Sequence, residues 1–179
     1  MSASMSLTAV VANVLLFQAG WLAGVLGAAQ GYPWLGVGAA AVVIAWHLAR
    51  ARRRAPELGL LALALVIGAA FENLLVRAGW LEFDAGVLVA DTAPPWMIAL
   101  WALFATTLNV SLRALHGRWA MAALLGAIGA PLAYYAGGRL GAVEFVDTTA
   151  ALLAVAIGWL VLSPVLVASA ARLDGYAPR

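Results

Sequence analysis

LGLLALALVIGAAFENLLVRAGW, residues 58–80, is the stretch whose reading decides the fold. Its first fourteen positions carry no charge; Glu72, Asn73 and Arg77 follow. A transmembrane helix needs about 20 mostly apolar residues, and this run meets that length. The rest of the chain has the same character. Hydrophobic residues make up 65% of the 179 residues and charged residues 10%, whereas soluble domains carry about 25% charge. The mean hydropathy is +0.99. These values predict an all-α, polytopic transmembrane protein.

Five further runs have comparable length and apolarity. The spans fall at about 7–29, 33–49, 58–80, 95–115, 119–138 and 148–171, in one transmembrane domain. Turn-forming sequences separate them: QGYP, RARRRAPE, EFDAGVLVADTAPP, HGR and GGRLGAVEFVD. Asp91 and Thr92 before Pro94 and Pro95 read as a helix start with a capping side chain. The first apolar run is longer than the core of a signal peptide, so it reads as an uncleaved span.

Charge placement gives the orientation. All ten basic residues are Arg. Arg50, Arg52, Arg53, Arg54, Arg113, Arg118, Arg172 and Arg179 fall on one side of the six-span arrangement; Arg77 and Arg139 fall on the other. Positive residues concentrate on the cytoplasmic side, which places both termini in the cytoplasm. Glu82, Asp84, Asp91, Glu144 and Asp147 lie on the outer side.

Small residues mark the packing faces. Gly20, Gly24, Gly27 and Gly31 in the first span alternate by four and three, so they form one stripe, and Asn13 extends it. Gly126, Ala130, Ala133 and Gly137 make a comparable face in the fifth span.

The polar residues inside the spans are the candidate functional groups. Glu72 lies about 21 Å along the third span, in its outer half. Glu72 and Arg77 are separated by about 140° around the helix and do not pair. Arg139, at the outer end of the fifth span, is the expected partner for Glu72, with Tyr134 or Tyr135 as alternative donors. Glu72, Asn73, Arg77, Tyr134 and Arg139 are thus expected to line an outward polar pocket. Intramembrane ionisable residues are functional candidates; the structural alternative is a carboxyl that fixes helix register. Thr106, Asn109, Arg113 and His116 recur at three and four, forming a polar stripe toward the cytoplasm. Asn13, Gln18, Thr106, Asn109 and Arg113 make an inner polar cluster in which Asn13 and Asn109 are expected to hydrogen-bond. His47 and His116 sit at cytoplasmic helix ends and read as solvent-facing.

Many classes of chemistry have no support. There is no Cys, which removes thiolate and cluster chemistry. No H-E-x-x-H, P-loop, G-x-S-x-G or dinucleotide motif occurs. No metal, cofactor or nucleic-acid partner is expected.

APPWMIALWALFATTLNVSLRAL and MAALLGAIGAPLAYYAGGRLGAVEF, with NVLLFQAGW nearer the start, resemble a bacterial family of six-span inner-membrane proteins. It is catalogued as domain of unknown function twenty-eight seventy-eight. The resemblance implies a multi-pass protein of the bacterial inner membrane. Its members carry Asp where Glu72 stands and His where Val110 follows Asn109. The first departure keeps a carboxyl; the second removes a titratable group. Genes of the family lie beside lipid-methylating enzymes of the cyclopropane-fatty-acid type. The resemblance therefore implies an accessory role in membrane-lipid modification or envelope maintenance, with lipids, a second copy or a lipid-modifying enzyme as partners. The alternatives are a small transporter or lipid flippase, and an intramembrane lipid-modifying enzyme. A transporter needs Glu72 and Asn109 in one cavity, and an enzyme needs Glu72 or His116 beside a second catalytic group. An accessory protein needs sealed polar clusters and a lipid-facing or partner-facing surface.

A topology reporter fused at Arg53 is expected to be cytoplasmic and one at Gly86 external. An external Arg53 overturns the orientation.

Overall fold

The structure, a computed structural model, describes residues 6–177. Arg179, counted above in the charge asymmetry, lies outside the described residues. Within them are six α-helices: α1 Leu7–Ala29, α2 Pro33–Arg50, α3 Arg54–Arg77, α4 Pro95–Leu108, α5 Trp119–Arg139 and α6 Thr148–Arg172. All except α4 are long and apolar enough to cross a membrane. The chain is a multi-pass helical membrane protein.

Local chemistry sets the boundaries. Ser6 Oγ accepts from Ala9 N at 3.2 Å and caps α1; Asp147 Oδ1 accepts from Ala150 N at 2.9 Å and caps α6. Pro33 and Pro95 occupy first turns, where a missing N–H costs nothing. The third helix starts at Arg54, earlier than the expected Leu58, and takes Glu57 into its first turn. A carboxylate is favourable there beside the unpaired N–H groups. It ends at Arg77 rather than Trp80 because Gly79 adopts a φ of +69°; Trp80 N then bonds back to Leu75 O at 3.2 Å. Asp91 and Thr92 do not cap α4. Thr92 Oγ1 donates to Val89 O at 2.7 Å, and the N-cap position belongs to Pro94.

The largest correction concerns α4. It has 14 residues, about 21 Å against a hydrocarbon core of about 30 Å. The expected helix to Leu115 breaks at Asn109 into turns and a short 3-10 segment, Arg113–Leu115. Thr106 and Thr107 hydroxyls donate to Leu103 O and Phe104 O at 2.7 and 2.6 Å, while Val110 N and Leu112 N both bond Thr107 O. Such side-chain back-bonds compete with helix. Irregular backbone at this depth is tolerated only when protein covers it, and Asn109 and Val110 are buried. Thr106, Asn109, Arg113 and His116 consequently do not share one helical stripe.

At the opposite end, Leu81–Glu82 pairs antiparallel with Glu144–Phe145, a two-residue ladder with Leu81 opposite Phe145 and Glu82 opposite Glu144. It ties the loop after α3 to the turn before α6.

Glycines determine how closely helices approach. Gly24 and Gly36 bring α1 and α2 together: a Cβ on Gly36 would lie 2.6 Å from Gly24 Cα. Gly20 takes the Leu103 side chain of α4. On the other side, Gly126 of α5 lies against the Trp159 carbonyl and Ser163 of α6. Helix α5 packs chiefly along α6 and makes few close approaches to α1 or α4.

Gly36→Leu is expected to force α1 from α2 and lower stability by about 1–3 kcal/mol, read as a lower melting temperature in detergent. Gly38→Ala, where a Cβ meets nothing within 4 Å, is the neutral control. An unchanged melting temperature for Gly36→Leu would show that the two helices do not pack through this contact.

Candidate functional site

Three features carry the polar and binding chemistry. The first lies at the arginine-rich end, around Glu57, which is fully buried. Its Oε2 is 2.8 Å from His47 Nε2. Its Oε1 accepts from Asn109 Nδ2 at 2.8 Å and from Gly175 N at 2.7 Å. Helix α2, helix α3, the turn after α4 and the segment after α6 therefore meet on one carboxyl. Arg113 Nη2 donates to Asp174 Oδ2 at 2.5 Å, and Arg53 Nη2 donates to Asp174 O at 2.6 Å. Tyr176 closes the cluster by donating from its hydroxyl to His47 O at 2.7 Å. Burial, and then the Glu57 charge, push the Tyr176 phenol above its ordinary range. The residue at 175 must be Gly, because a Cβ would run into Arg53 O and the Glu57 side chain.

This cluster overturns several expectations. His47 is fully buried rather than solvent-facing. His116 is half-buried, its Nε2 3.1 Å from Leu108 O; burial pulls the imidazole below its ordinary range. Asn13 and Asn109 do not bond each other. Asn13 Nδ2 donates to Thr106 O at 3.1 Å, and its Oδ1 accepts from Ser111 Oγ at 2.6 Å. The break in α4 turns Ser111 toward α1 and leaves Asn109 facing α3 and the C-terminal segment. The expected inner cluster is thus divided: Asn13 joins the Thr106 backbone, Asn109 and Arg113 join Glu57 and Asp174, and Gln18 is exposed elsewhere.

The second feature surrounds Glu72, also fully buried. Trp101 Nε1 donates to its Oε1 at 2.8 Å, and the Tyr134 hydroxyl donates to the same oxygen. Oε2 has no partner among the described residues. Gly68, one turn earlier, leaves the space that the Trp101 ring occupies. Arg139 is not the partner. It stands five residues after Tyr134 in α5, about 140° around the helix, and is exposed. Arg77 is exposed for the same geometric reason relative to Glu72. Asn73 serves a different end: its Nδ2 donates to Ala69 O and its Oδ1 accepts from Ala93 N, fastening the long loop to α3. The outward pocket expected from these five residues is therefore not one pocket.

The third feature is a cavity of about 430 Å³ between α1, α4, α5 and α6. Aromatic rings dominate its wall: Phe17, Trp21, Trp101, Phe104, Tyr134 and Trp159. Trp101 stacks on Trp159 with centroids 4.8 Å apart, and Phe104 meets Trp159 edge-on at 5.2 Å. On α5 the lining is small: Gly126, Gly129, Ala130, Ala133 and Gly137. Gln18 of α1 and Leu125 and Gly129 of α5 line it while exposed, so the cavity opens sideways between these helices. Neither Glu72 nor Asn109 is in its lining.

The sequence carried signals for some of what was missed. Glu57 and Asp174 both fall on the arginine-rich side of the six-span arrangement, and bringing Asn109 and Arg113 to them required the break in α4. Trp101 donates to Glu72, a pairing that no spacing in the sequence marks. Among the described residues no group of three or more His, Asp or Glu has the arrangement to hold a metal ion.

Fold and site together define an integral membrane protein with two sealed carboxyl clusters and a lateral apolar cavity. The chain belongs to the family described as Protein of unknown function (DUF2878), whose model matches residues 10–165. No curated protein and no solved structure matches it.

Glu57→Ala leaves His47 Nε2, Asn109 Nδ2 and Gly175 N without their shared acceptor. Removing one partner of a buried pair costs about 3–5 kcal/mol. The expected readout is a strongly lowered melting temperature and new protease cleavage after Arg172. A melting temperature equal to wild type would show that the cluster holds nothing together.

Proposed function

We propose that this protein holds an acyl chain of a bacterial inner-membrane lipid, as a non-catalytic accessory to membrane-lipid modification or envelope maintenance. The lateral cavity carries the reading. A void lined by aromatic and small side chains and open toward the bilayer has one abundant ligand, the hydrocarbon chain. Along α5 it runs from Leu125 to Gly137, about 18 Å by helical rise. That is close to the roughly 15 Å of one leaflet's hydrocarbon.

The alternatives have less support. A transporter needs a polar route between the two faces, and the clusters around Glu57 and Glu72 are separate, with neither carboxyl in the cavity lining. An enzyme needs a reacting group, and the neighbours that bond Glu72 are a phenol and an indole. Holding one chain while the rest of the lipid stays accessible suits presentation to a modifying enzyme.

Gly129→Leu tests the reading, because Gly129 lines the cavity and a Cβ there meets nothing within 4 Å, so bulk can be added at the opening without displacing a neighbour. Lipid affinity is expected to fall about tenfold or more, the equivalent of about 1.4 kcal/mol. The measurement is mass spectrometry of lipid retained by the purified protein. Wild-type retention by the variant overturns the proposal. Deleting the gene is expected to change the fraction of modified acyl chains in the membrane; an identical lipid profile counts against the accessory role.

A further inference from the structure

We propose that the lipid held by this protein is a glycerophospholipid with an amine-bearing, zwitterionic headgroup, its phosphate at Arg139 and its ammonium beside Glu144 and Asp84. The proposal rests on the acyl-chain reading above. A second pocket, of about 560 Å³, lies at the end of the bundle that carries the two-residue ladder. Arg139, Asp84, Glu144, Tyr135 and Thr148 are in its wall. Ala142 and Val143 line both this pocket and the apolar cavity. The two spaces are therefore adjacent across one short segment, polar at the end of the bundle and apolar within it, which is the layout of a phospholipid.

Charge selects the headgroup. Arg139 is exposed and makes no ion pair among the described residues. It ends α5, where the helix carbonyls favour a cation, and it offers a forked donor suited to phosphate. Two carboxylates share its pocket, and a third stands next to one of them. Glu144 and Asp84 line the pocket, and Glu82 lies directly opposite Glu144 in the ladder. Like charges placed directly opposite are destabilising, so this edge gains from a cation. One Arg against two carboxylates leaves the pocket lining net negative, which disfavours a purely anionic headgroup. The carboxylates do not form a metal-holding group, whereas a mobile ammonium needs no fixed ligand geometry. A phosphate joined to an amine satisfies both signs at once.

The full-length protein is reconstituted in nanodiscs of equimolar phosphatidylethanolamine and phosphatidylglycerol with identical chains. It is then extracted into detergent, and the retained lipid is quantified by mass spectrometry. The wild type is expected to enrich phosphatidylethanolamine about threefold, the scale of a partly exposed ion pair. Asp84→Asn with Glu144→Gln is expected to lose phosphatidylethanolamine, gain phosphatidylglycerol and bring the ratio to about one. Arg139→Gln is expected to reduce both relative to added diacylglycerol. Gly129→Leu is expected to reduce both phospholipids alike, which separates the headgroup from the chain. No enrichment by the wild type, with Gly129→Leu still lowering total lipid, overturns the headgroup assignment and leaves the chain reading standing. Equal retention by Gly129→Leu and wild type overturns both. Displacement of retained lipid by free phosphoethanolamine would make the pocket a site for a soluble ligand and overturn the lipid assignment.

Discussion

A carboxyl inside a bilayer has no water to accept from, so each one in this bundle has to be met by donors from other helices. Helix α3 carries two, Glu57 near its start and Glu72 near its end, both fully buried. Glu57 gathers a histidine, an asparagine amide and a backbone N–H. Glu72 gathers an indole and a phenol. Leaving either carboxyl unmet costs several kcal/mol in an apolar medium, so the partners have little freedom to be elsewhere. The arrangement fixes α3 to the α4 region at both ends, through Asn109 at one and Trp101 at the other. Everything else is hung on that spine.

The shortness of α4 and the tilt of interest toward α6 follow from the same demand. By ending at Leu108, α4 frees Asn109 to reach Glu57 and Ser111 to reach Asn13. The loss of helix is covered by protein, so the turn is not left facing lipid. Meanwhile α5 gives its close-packing glycine, Gly126, to α6. Its remaining small residues face α4 and α1 across a gap. The rings of Trp101, Phe104 and Trp159 brace one another along that gap, which keeps its wall rigid without filling it.

Much of the fold was legible because the bilayer imposes simple rules. Length and apolarity gave six helices; Gly79 and Pro95 mark ends by backbone chemistry that any reading of residues can use. Gly20, Gly24 and Gly27 of α1 were legible as a packing face, with α2 and α4 as partners, whereas Gly31 lies past the helix in the turn before α2 at a φ of +79°. What was illegible depended on contacts distant in the chain. An apolar window cannot see that Asn109 leaves the helix, because Leu108 and Val110 on either side are as apolar as the rest. The Glu57 cluster joins residues up to 129 positions apart. Charge complementarity points Arg139 at Glu72, but the angle of about 140° from Tyr134 around α5 turns it away to an exposed position. The cavity had no sequence signature of its own: the same Gly and Ala residues that pack a helix elsewhere line an opening here.

The donor that completes Glu57 comes from Gly175, far downstream of the helix that carries the carboxyl. During synthesis, α2, α3 and the turn after α4 leave the ribosome well before that glycine does. The arginine-rich end of the nascent bundle therefore stays unlocked while the ladder end, whose partners Leu81 and Phe145 are already made, is able to close. The segment made last, Leu173 to Tyr176, is the one that completes that end.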